Sequence, residues 1–347
     1  MNDAVQEALE GLRPTGDGGW TAYRSVLAAL TPEALANEIY WALHCRVPCD
    51  TTARTAPDTW GERAAFVEQL SRANTGVGPW QAGWTLVARV NARRCFVRAF
   101  DVTFLADVRH VRRDVRAGPG ARGRGVDVTV RVPAEYRHLS AGYYMALGDT
   151  DHQPTTGPTI RLYWNVAPEG AAALVAELTD RLNAAGIPFR YKTPADPDRF
   201  QRSDTGVLYL PAEAYRRALP HVARVHCAVL PHLRADLSAF VKAIAHGLGA
   251  AFDPGDGSSF GAHRAALLAA AIISVMAPAE GHGKTSARRN PLHDALRGVR
   301  AALDRRGYDP RRLYLAPGRT DTLTPLAPSP GALRRGLRAA GRRPRHP

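Results

Sequence analysis

The fold class is decided by the stretch Thr159-Ile160-Arg161-Leu162-Tyr163-Trp164-Asn165-Val166 and the two segments after it, residues 168–185 and Phe189-Arg190-Tyr191-Lys192-Thr193. The first and last segments alternate apolar and polar residues, as β-strands do. The segment between them, closed by Gly186, predicts a helix. Elsewhere strands and helices come in runs without a regular βαβ alternation. We therefore expect an α+β fold with a mixed or antiparallel sheet flanked by helices.

The parts of the chain on either side of this stretch are predicted to be mostly helical. Thr31 and Pro32 are the N-cap and first-turn residues of a helix start. The other predicted helices are 60–74, 211–227 and 292–306, and the other predicted strands are 84–90, 95–108, 126–132, 143–147 and 207–210. We expect the last third to be helical around an irregular loop at 253–261.

Arginine dominates the basic residues of this chain. Lys and Arg number 46 against 32 Asp and Glu, a net charge of +14 that favours anionic partners. Only Lys192, Lys242 and Lys284 are lysines. Arginine stays protonated whereas a desolvated lysine shifts its pKa readily, so a retained lysine suits a base or nucleophile. From composition alone, chance explains the three lysines as well as a retained chemical role does.

The sequence offers little support for metal, nucleotide or serine-hydrolase chemistry. Cys45 and Cys49 lack a second nearby pair, so we interpret them as buried reduced thiols rather than zinc ligands. At 278–285 the first P-loop glycine is replaced by Pro278, which has no N–H to donate to phosphate. We interpret the serines at 257–261 as part of a loop rather than a nucleophile elbow. No metal site is expected.

The hydropathy pattern indicates a soluble, cytoplasmic protein without a membrane partner. The longest apolar run, residues 265–277, is too short to span a bilayer. The first ten residues carry Asp3, Glu7 and Glu10 instead of a secretory signal.

A set of cationic, phenolic and imidazole groups lies on predicted elements near Lys192. Its members are Arg161, Tyr163, Arg202, Tyr209, Lys242, His263 and Arg264. Such a set suits a phosphate dianion, which arginine binds through two parallel hydrogen bonds. Spacing by itself favours a simpler interpretation, in which these are scattered surface cations and core tyrosines.

Short motifs in the second half of the chain add a family resemblance. They lie at residues 142–149, 161–166, 189–192, 200–204, 259–264, 308–310 and 314–318. Together they resemble the Hop-A type III effector family over about residues 140–320, with a weaker similarity at 39–46. Stand-alone relatives of that family act as the lyase beside a kinase-like protein in class V lanthipeptide and thioamitide pathways.

A more distant similarity, to phosphothreonine lyase effectors, implies roles for individual residues. Lys192 matches their catalytic base. Arg161, Arg202, Tyr209 and Arg264 match positions around the phosphate, and we group Lys242 with them. Tyr163 stands where those enzymes have their general-acid histidine, so Tyr163 and His263 are both candidates for the acid.

The resemblance implies a carbon–oxygen lyase acting on phosphoserine or phosphothreonine. A neutral amine takes the Cα proton, guanidinium groups hold the leaving phosphate, and neither metal nor cofactor is required. The implied partners are a phosphorylated precursor peptide, a kinase-like protein and, less firmly, a cyclase. A non-catalytic phosphopeptide-binding helper and a basic nucleic-acid-binding protein are the alternatives, although the sequence has no aromatic-basic module for nucleic acid.

Three regions follow from these observations. Residues 1–135 are expected to form a helical and β N-terminal subdomain, residues 136–327 the lyase-like catalytic region, and residues 328–347 a disordered basic tail.

Overall fold

A computed structural model describes residues 3–15, 19–23, 25–27, 30–47, 60–99, 102–113, 126–140, 142–150, 157–276 and 291–326. The basic tail expected at 328–347 and the glycine-containing segment 278–285 lie outside these ranges. So does Cys49, whereas Cys45 is buried, as expected.

Helices and strands fill most of the described chain. The helices are α1 (Ala4–Glu10), α2 (Pro32–Ile39), a π-helix (Tyr40–Cys45), α3 (Trp60–Ala73), α4 (Pro168–Ala184), α5 (Ala212–Val229), α6 (Phe260–Met276) and α7 (Pro291–Asp304). The strands are β1 (Leu12–Pro14), β2 (Trp20–Ala22), β3 (Ser25–Leu27), β4 (Trp80–Arg89), β5 (Arg94–Ala99), β6 (Val102–Asp107), β7 (Val111–Arg113), β8 (Val126–Arg131), β9 (Glu135–Ser140), β10 (Tyr143–Leu147), β11 (Thr159–Trp164), β12 (Arg190–Pro194), β13 (Gly206–Pro211), β14 (Lys242–Ala245) and β15 (Leu248–Phe252).

Local sequence explains where these helices begin and which face they bury. The Thr31 hydroxyl accepts a hydrogen bond from the Ala34 N–H, with Pro32 at the first helical position of α2. Helix α4 also begins at a proline and buries a stripe at i, i+3 and i+4 spacing. The members of that stripe are Ala171, Leu174, Val175, Leu178 and Leu182.

The described residues form three sheets, and every strand pair in them is antiparallel, which confirms the α+β class. The strand orders are β1-β2-β3, β6-β5-β4-β8-β7 and β14-β15-β11-β13-β12-β10-β9. The predicted strand 95–108 is two strands, β5 and β6, which pair with each other as a hairpin.

The expectation that the last third is helical around one loop is wrong at residues 242–252. These residues form the hairpin β14–β15, whose second strand pairs with β11. All five residues of β15 are buried. A strand covered on both faces shows no apolar–polar alternation, so its sequence lacks the period that identifies a strand.

The seven-stranded sheet carries the main core, and the N-terminal helices belong to it. Leu35, Ile39 and Leu70 are buried in the same core as Leu162 and Leu208 of the central strands. The five-stranded sheet covers a smaller second core of its own. No helix within the described ranges is long and apolar enough to cross a membrane.

Candidate active site

The register of the central strands places several polar side chains on one face of the seven-stranded sheet. On β13, Tyr209 pairs with Arg161 of β11 on one side and with Arg190 of β12 on the other. Two residues along, Tyr163 and Lys192 both pair with Val207. Directly opposite residues of antiparallel strands share a face, so these groups project to the same side.

An open cavity of about 60 Å³ lies on this face. Five of the residues predicted from the sequence line it: Arg161, Tyr163, Lys192, Arg202 and Tyr209. Tyr40 and His44 of the π-helix, Tyr143 of β10, Asp204, Val207 and Ser259 complete the lining. Sequence reasoning missed the π-helix residues, for which the weak similarity at 39–46 was the available signal.

Lys192 is half-buried and brings its amine to the cavity. Its Nζ lies 3.8 Å from the centre of the Tyr143 ring. Across the described part of the chain, the amine forms no hydrogen bond and no ion pair. Burial lowers the pKa of Lys192; Arg202 and Arg161 lower it further, while Asp204 acts in the opposite direction. The neutral amine is therefore more accessible than in an ordinary surface lysine.

Arg202 is held by two kinds of partner at the edge of the cavity. Its Nε and Nη2 donate to the Asp204 carboxylate, the latter at 2.7 Å. Nη2 also donates to the Tyr40 hydroxyl at 2.8 Å, and Nη1 lies 3.4 Å from the Tyr143 hydroxyl. The guanidinium thus has a fixed orientation between the π-helix and β10.

Arg161 is also held in place by partners within the protein. Its guanidinium donates to the Asp253 carboxylate at 2.5 Å and to the Ser258 carbonyl at 3.0 Å. It also lies 5.2 Å from the centre of the Tyr209 ring. Both cavity arginines therefore have their positions set before a ligand arrives, which is the condition for electrostatic preorganisation.

His44 connects Asp204 to a distant part of the chain. The histidine is 2% exposed, with Nε2 3.2 Å from the Asp204 carboxylate and Nδ1 2.9 Å from the Ser238 hydroxyl. Burial raises the pKa of Asp204, but Arg202 and His44 outweigh burial and hold it below its ordinary value. Gly261 is required beside the imidazole, because a Cβ there would lie 2.1 Å from the His44 Cδ2.

Ser238, His44 and Asp204 are connected like the serine, histidine and aspartate of a hydrolase triad, but the aspartate and not the serine faces the cavity. Asp204 lines the cavity, whereas Ser238 is buried and does not. Ser259 does line it, and residues 257–261 fit the letters G-x-S-x-G. In a nucleophile elbow the strand turns directly into the serine, whereas residues 253–258 separate β15 from Ser259. Neither serine has the placement of a nucleophile.

Tyr163 is the acid candidate that reaches the cavity. Its side chain is 3% exposed and packs edge-on against the His44 ring at 5.7 Å. Burial raises the pKa of Tyr163, so its phenol stays protonated at neutral pH. A buried hydroxyl of this kind can donate a proton but does not lose one spontaneously.

Arg264 and His263 do not reach the cavity. Arg264 is 0% exposed and donates to the backbone carbonyls of Leu313 at 2.6 Å and Leu315 at 3.1 Å. His263 Nδ1 contacts Arg264 Nη1 at 2.9 Å, and its Nε2 lies 3.8 Å from the Asp256 carboxylate. The first turn of α6 therefore ties down the segment at 313–315 instead of presenting these side chains to a ligand.

Lys242 lies on the other face of the sheet. It pairs with Ala250, which pairs with Leu162, a neighbour of Arg161 and Tyr163 that projects to the opposite side. The Lys242 amine binds Asp321 at 2.7 Å and the Leu323 carbonyl at 2.6 Å. We therefore leave Lys242, Arg264 and His263 out of the proposed site.

Comparison with known proteins identifies the family. Residues 134–315, just over half of the chain, match the HopA1 effector protein family. The chain belongs to this family. No curated protein matches the chain.

Two solved structures similar to the chain are also effector proteins. One, from Pseudomonas syringae pv. tomato strain DC3000, has 14% sequence identity and a TM-score of 0.41, with 81% of this chain and 90% of that chain covered. The other, from Pseudomonas syringae pv. syringae strain 61, has 14% identity and a TM-score of 0.44, with 90% and 96% covered.

The HopA1 match contains most of the cavity lining but not all of it. Arg161, Lys192 and Arg202 lie inside the matched residues, whereas Tyr40 and His44 precede them. Within the described ranges, no group of three or more His, Cys, Asp or Glu side chains is placed to hold a metal ion.

Proposed function

We propose that the protein is a phosphoserine/phosphothreonine lyase. In this proposal it eliminates phosphate from a kinase-phosphorylated precursor peptide and leaves dehydroalanine or dehydrobutyrine, as part of lanthipeptide or thioamitide biosynthesis. The observation that carries the proposal is the amine of Lys192, which is half-buried beside two oriented guanidinium groups and has no ion pair with a carboxylate of the described residues. The distant relation of the HopA1 family to lyase effectors supports it.

Lys192 is the proposed base. Its neutral Nζ takes the Cα proton of the phosphorylated residue, and the electrons of that C–H bond form the Cα–Cβ double bond. The Cβ–O bond breaks at the same time, and its electrons leave with the phosphate. Burial and the neighbouring arginines favour the neutral amine that this step consumes.

Arg161 and Arg202 are the proposed phosphate ligands. Negative charge grows on the phosphate as the C–O bond breaks, and two guanidinium groups fixed by Asp253 and Asp204 stabilise it without first having to reorganise. The Tyr163 phenol is the proposed donor to the bridging oxygen, because it is buried, protonated and part of the same cavity lining.

The reaction class fixes what must come before this step. A phosphoester is consumed, so a kinase reaction has to supply the substrate, and we propose that a separate kinase-like protein does so. The product is an electrophilic alkene, and a cyclase that adds a cysteine thiol to it is the reaction class that would consume it.

The test is incubation of the purified full-length protein with synthetic phosphoserine and phosphothreonine peptides, without nucleotide. We expect mass spectrometry to show the loss of phosphoric acid, and an added small thiol to couple to the new alkene. A phosphatase would produce serine or threonine, which does not take up the thiol. Formation of the hydroxyl product, or an unchanged peptide, would refute the proposed function.

A further inference from the structure

On the face that carries the cavity, Arg190 is a second cation without a hydrogen-bond or ion-pair partner among the residues that the structure describes. Its Nε is shielded from solvent and has no hydrogen-bond acceptor. In the described part of the chain, the rest of its guanidinium forms no hydrogen bond or ion pair either, and its contact is the Tyr209 ring at 5.7 Å. A partly buried charged donor without an acceptor carries a desolvation penalty, which a bound anion would remove.

The neighbouring arginines show that this is not the general pattern of the face. Arg161 and Arg202 each bind a carboxylate, Asp253 and Asp204 respectively. Arg190 lies next to this arrangement, but no carboxylate among the described residues forms an ion pair with it. Burial lowers the pKa of Arg190, and the positive charge of Arg161 acts in the same direction, while Tyr209 and the more distant Asp253 carboxylate act against it. An anion bound from solution would supply an acceptor for this guanidinium.

The register sets the position of Arg190 relative to the proposed chemistry. It precedes Lys192 by two residues on β12, so the two Cα atoms are about 7 Å apart along the strand. The Tyr209 ring lies between Arg190 and Arg161, whose guanidinium carbons are 5.7 and 5.2 Å from its centre. A peptide whose phosphorylated residue occupies the cavity would place a neighbouring residue over Arg190.

We propose that Arg190 and Tyr209 form a second anion subsite, which binds an acidic side chain of the same peptide substrate. The shared chemistry is an oxyanion that accepts two parallel hydrogen bonds from the guanidinium, as a carboxylate or a second phosphate does. Arg190 then selects substrates by sequence context and takes no part in bond breaking. This subsite depends on the proposed function only for the location of the phosphorylated residue.

The experiment measures binding, so that it does not depend on turnover. Fluorescent phosphoserine peptides are titrated against the Lys192→Met protein by anisotropy. Each peptide carries alanine, glutamate, lysine or a second phosphoserine at one of three positions on either side of the reacting residue. At one or more of these positions, we expect the glutamate or phosphoserine peptide to bind about tenfold or more tightly than the alanine peptide, and the lysine peptide to bind more weakly. The glutamate and phosphoserine series distinguish a carboxylate from a phosphate subsite.

Two substitutions in the same background assign the preference to Arg190. Arg190→Gln should remove the difference between acidic and alanine peptides while the alanine peptide still binds, and Arg190→Lys should retain part of it. Arg216→Gln removes an equal charge from an exposed position on α5 and should leave the preference unchanged. Thermal unfolding confirms that each variant is folded.

The outcomes of this inference and of the proposed function are separable. A preference that depends on Arg190, in a protein whose wild type eliminates no phosphate, supports the subsite and refutes the lyase. Elimination without any preference for acidic peptides, or a preference that survives Arg190→Gln, overturns the subsite. Phosphopeptides that do not bind at all overturn both.

Discussion

Replacing Lys192 with arginine tests the proposed base while keeping its positive charge. Arginine holds its proton under all working conditions, so it can still attract a phosphopeptide but cannot take the Cα proton. The Lys192 amine is half-buried against the Tyr143 ring, and the guanidinium of an arginine at this position can stack on the same ring. We therefore expect binding to survive and turnover to be lost.

Among the described residues that line the cavity, neither Asp204 nor His44 is free to replace Lys192 as the base, and this sets the expected loss of rate. Asp204 is held by Arg202 and His44, and His44 is held between Asp204 and Ser238. General-base catalysis contributes about 10²- to 10⁴-fold. Without a replacement base we expect the upper part of that range, about 10³- to 10⁴-fold, or about 4–5.5 kcal/mol in activation free energy.

The assay follows phosphate release and alkene formation from one phosphopeptide, with its affinity measured separately by anisotropy. Lys242→Arg is the matched control, because it makes the same substitution on the opposite face of the sheet, where Asp321 binds the side chain. That control should turn over at the wild-type rate. Wild-type turnover by Lys192→Arg, or an equal loss in Lys242→Arg, would refute the assignment of the base.

Four further predictions concern pH and the neighbouring residues. The kcat/KM profile should rise with pH through a pKa below the ordinary lysine value of about 10.4, because burial and the nearby arginines favour the neutral Lys192 amine; a limb at or above that value contradicts this. Asp204→Asn should lower the free energy of unfolding in urea by about 3–5 kcal/mol at neutral pH, since it breaks a buried ion pair. The folded-state pKa of Asp204 is depressed, so its contribution is present above about pH 4 and the difference from wild type should shrink as the pH falls below that value; a constant difference contradicts the pairing. Arg264→Gln should cost about 3 kcal/mol of stability through its lost bonds to backbone carbonyls, with KM unchanged in the folded protein; a raised KM would restore this residue to the phosphate site. His44→Gln keeps an amide donor for Asp204, so at equal folded fraction its turnover rate should be about tenfold or more above that of His44→Leu. Equal rates in the two variants would show that this hydrogen bond is unimportant.

The cavity depends on residues from distant parts of the chain, including the N-terminal region. Tyr40 and His44 precede the residues matched by the HopA1 family, yet they contact Arg202 and Asp204 directly. The cavity therefore combines residues from both sides of the boundary expected at residue 135. A fragment beginning near residue 134 would lose both contacts.

The sequence alone determined the elements whose pattern is local. Alternation identifies β11 and β12, and it is enough to assign Arg161 and Tyr163 to one face of their strand. The scarcity of lysine directs attention to Lys192, which does lie in the cavity. Such features depend only on the local backbone conformation, which the side chains of a few consecutive residues determine.

Tertiary structure decided which of these side chains meet. In the sequence Arg264 and Arg202 look equally suited to bind phosphate, but α6 directs Arg264 into the core, where backbone carbonyls surround it. Lys242 belongs to a hairpin whose register turns it to the opposite face, and His44 reaches Asp204 only because the π-helix packs over the strands. Strand order, register and helix docking are set by burial among residues far apart in the chain, so no short segment of sequence determines them.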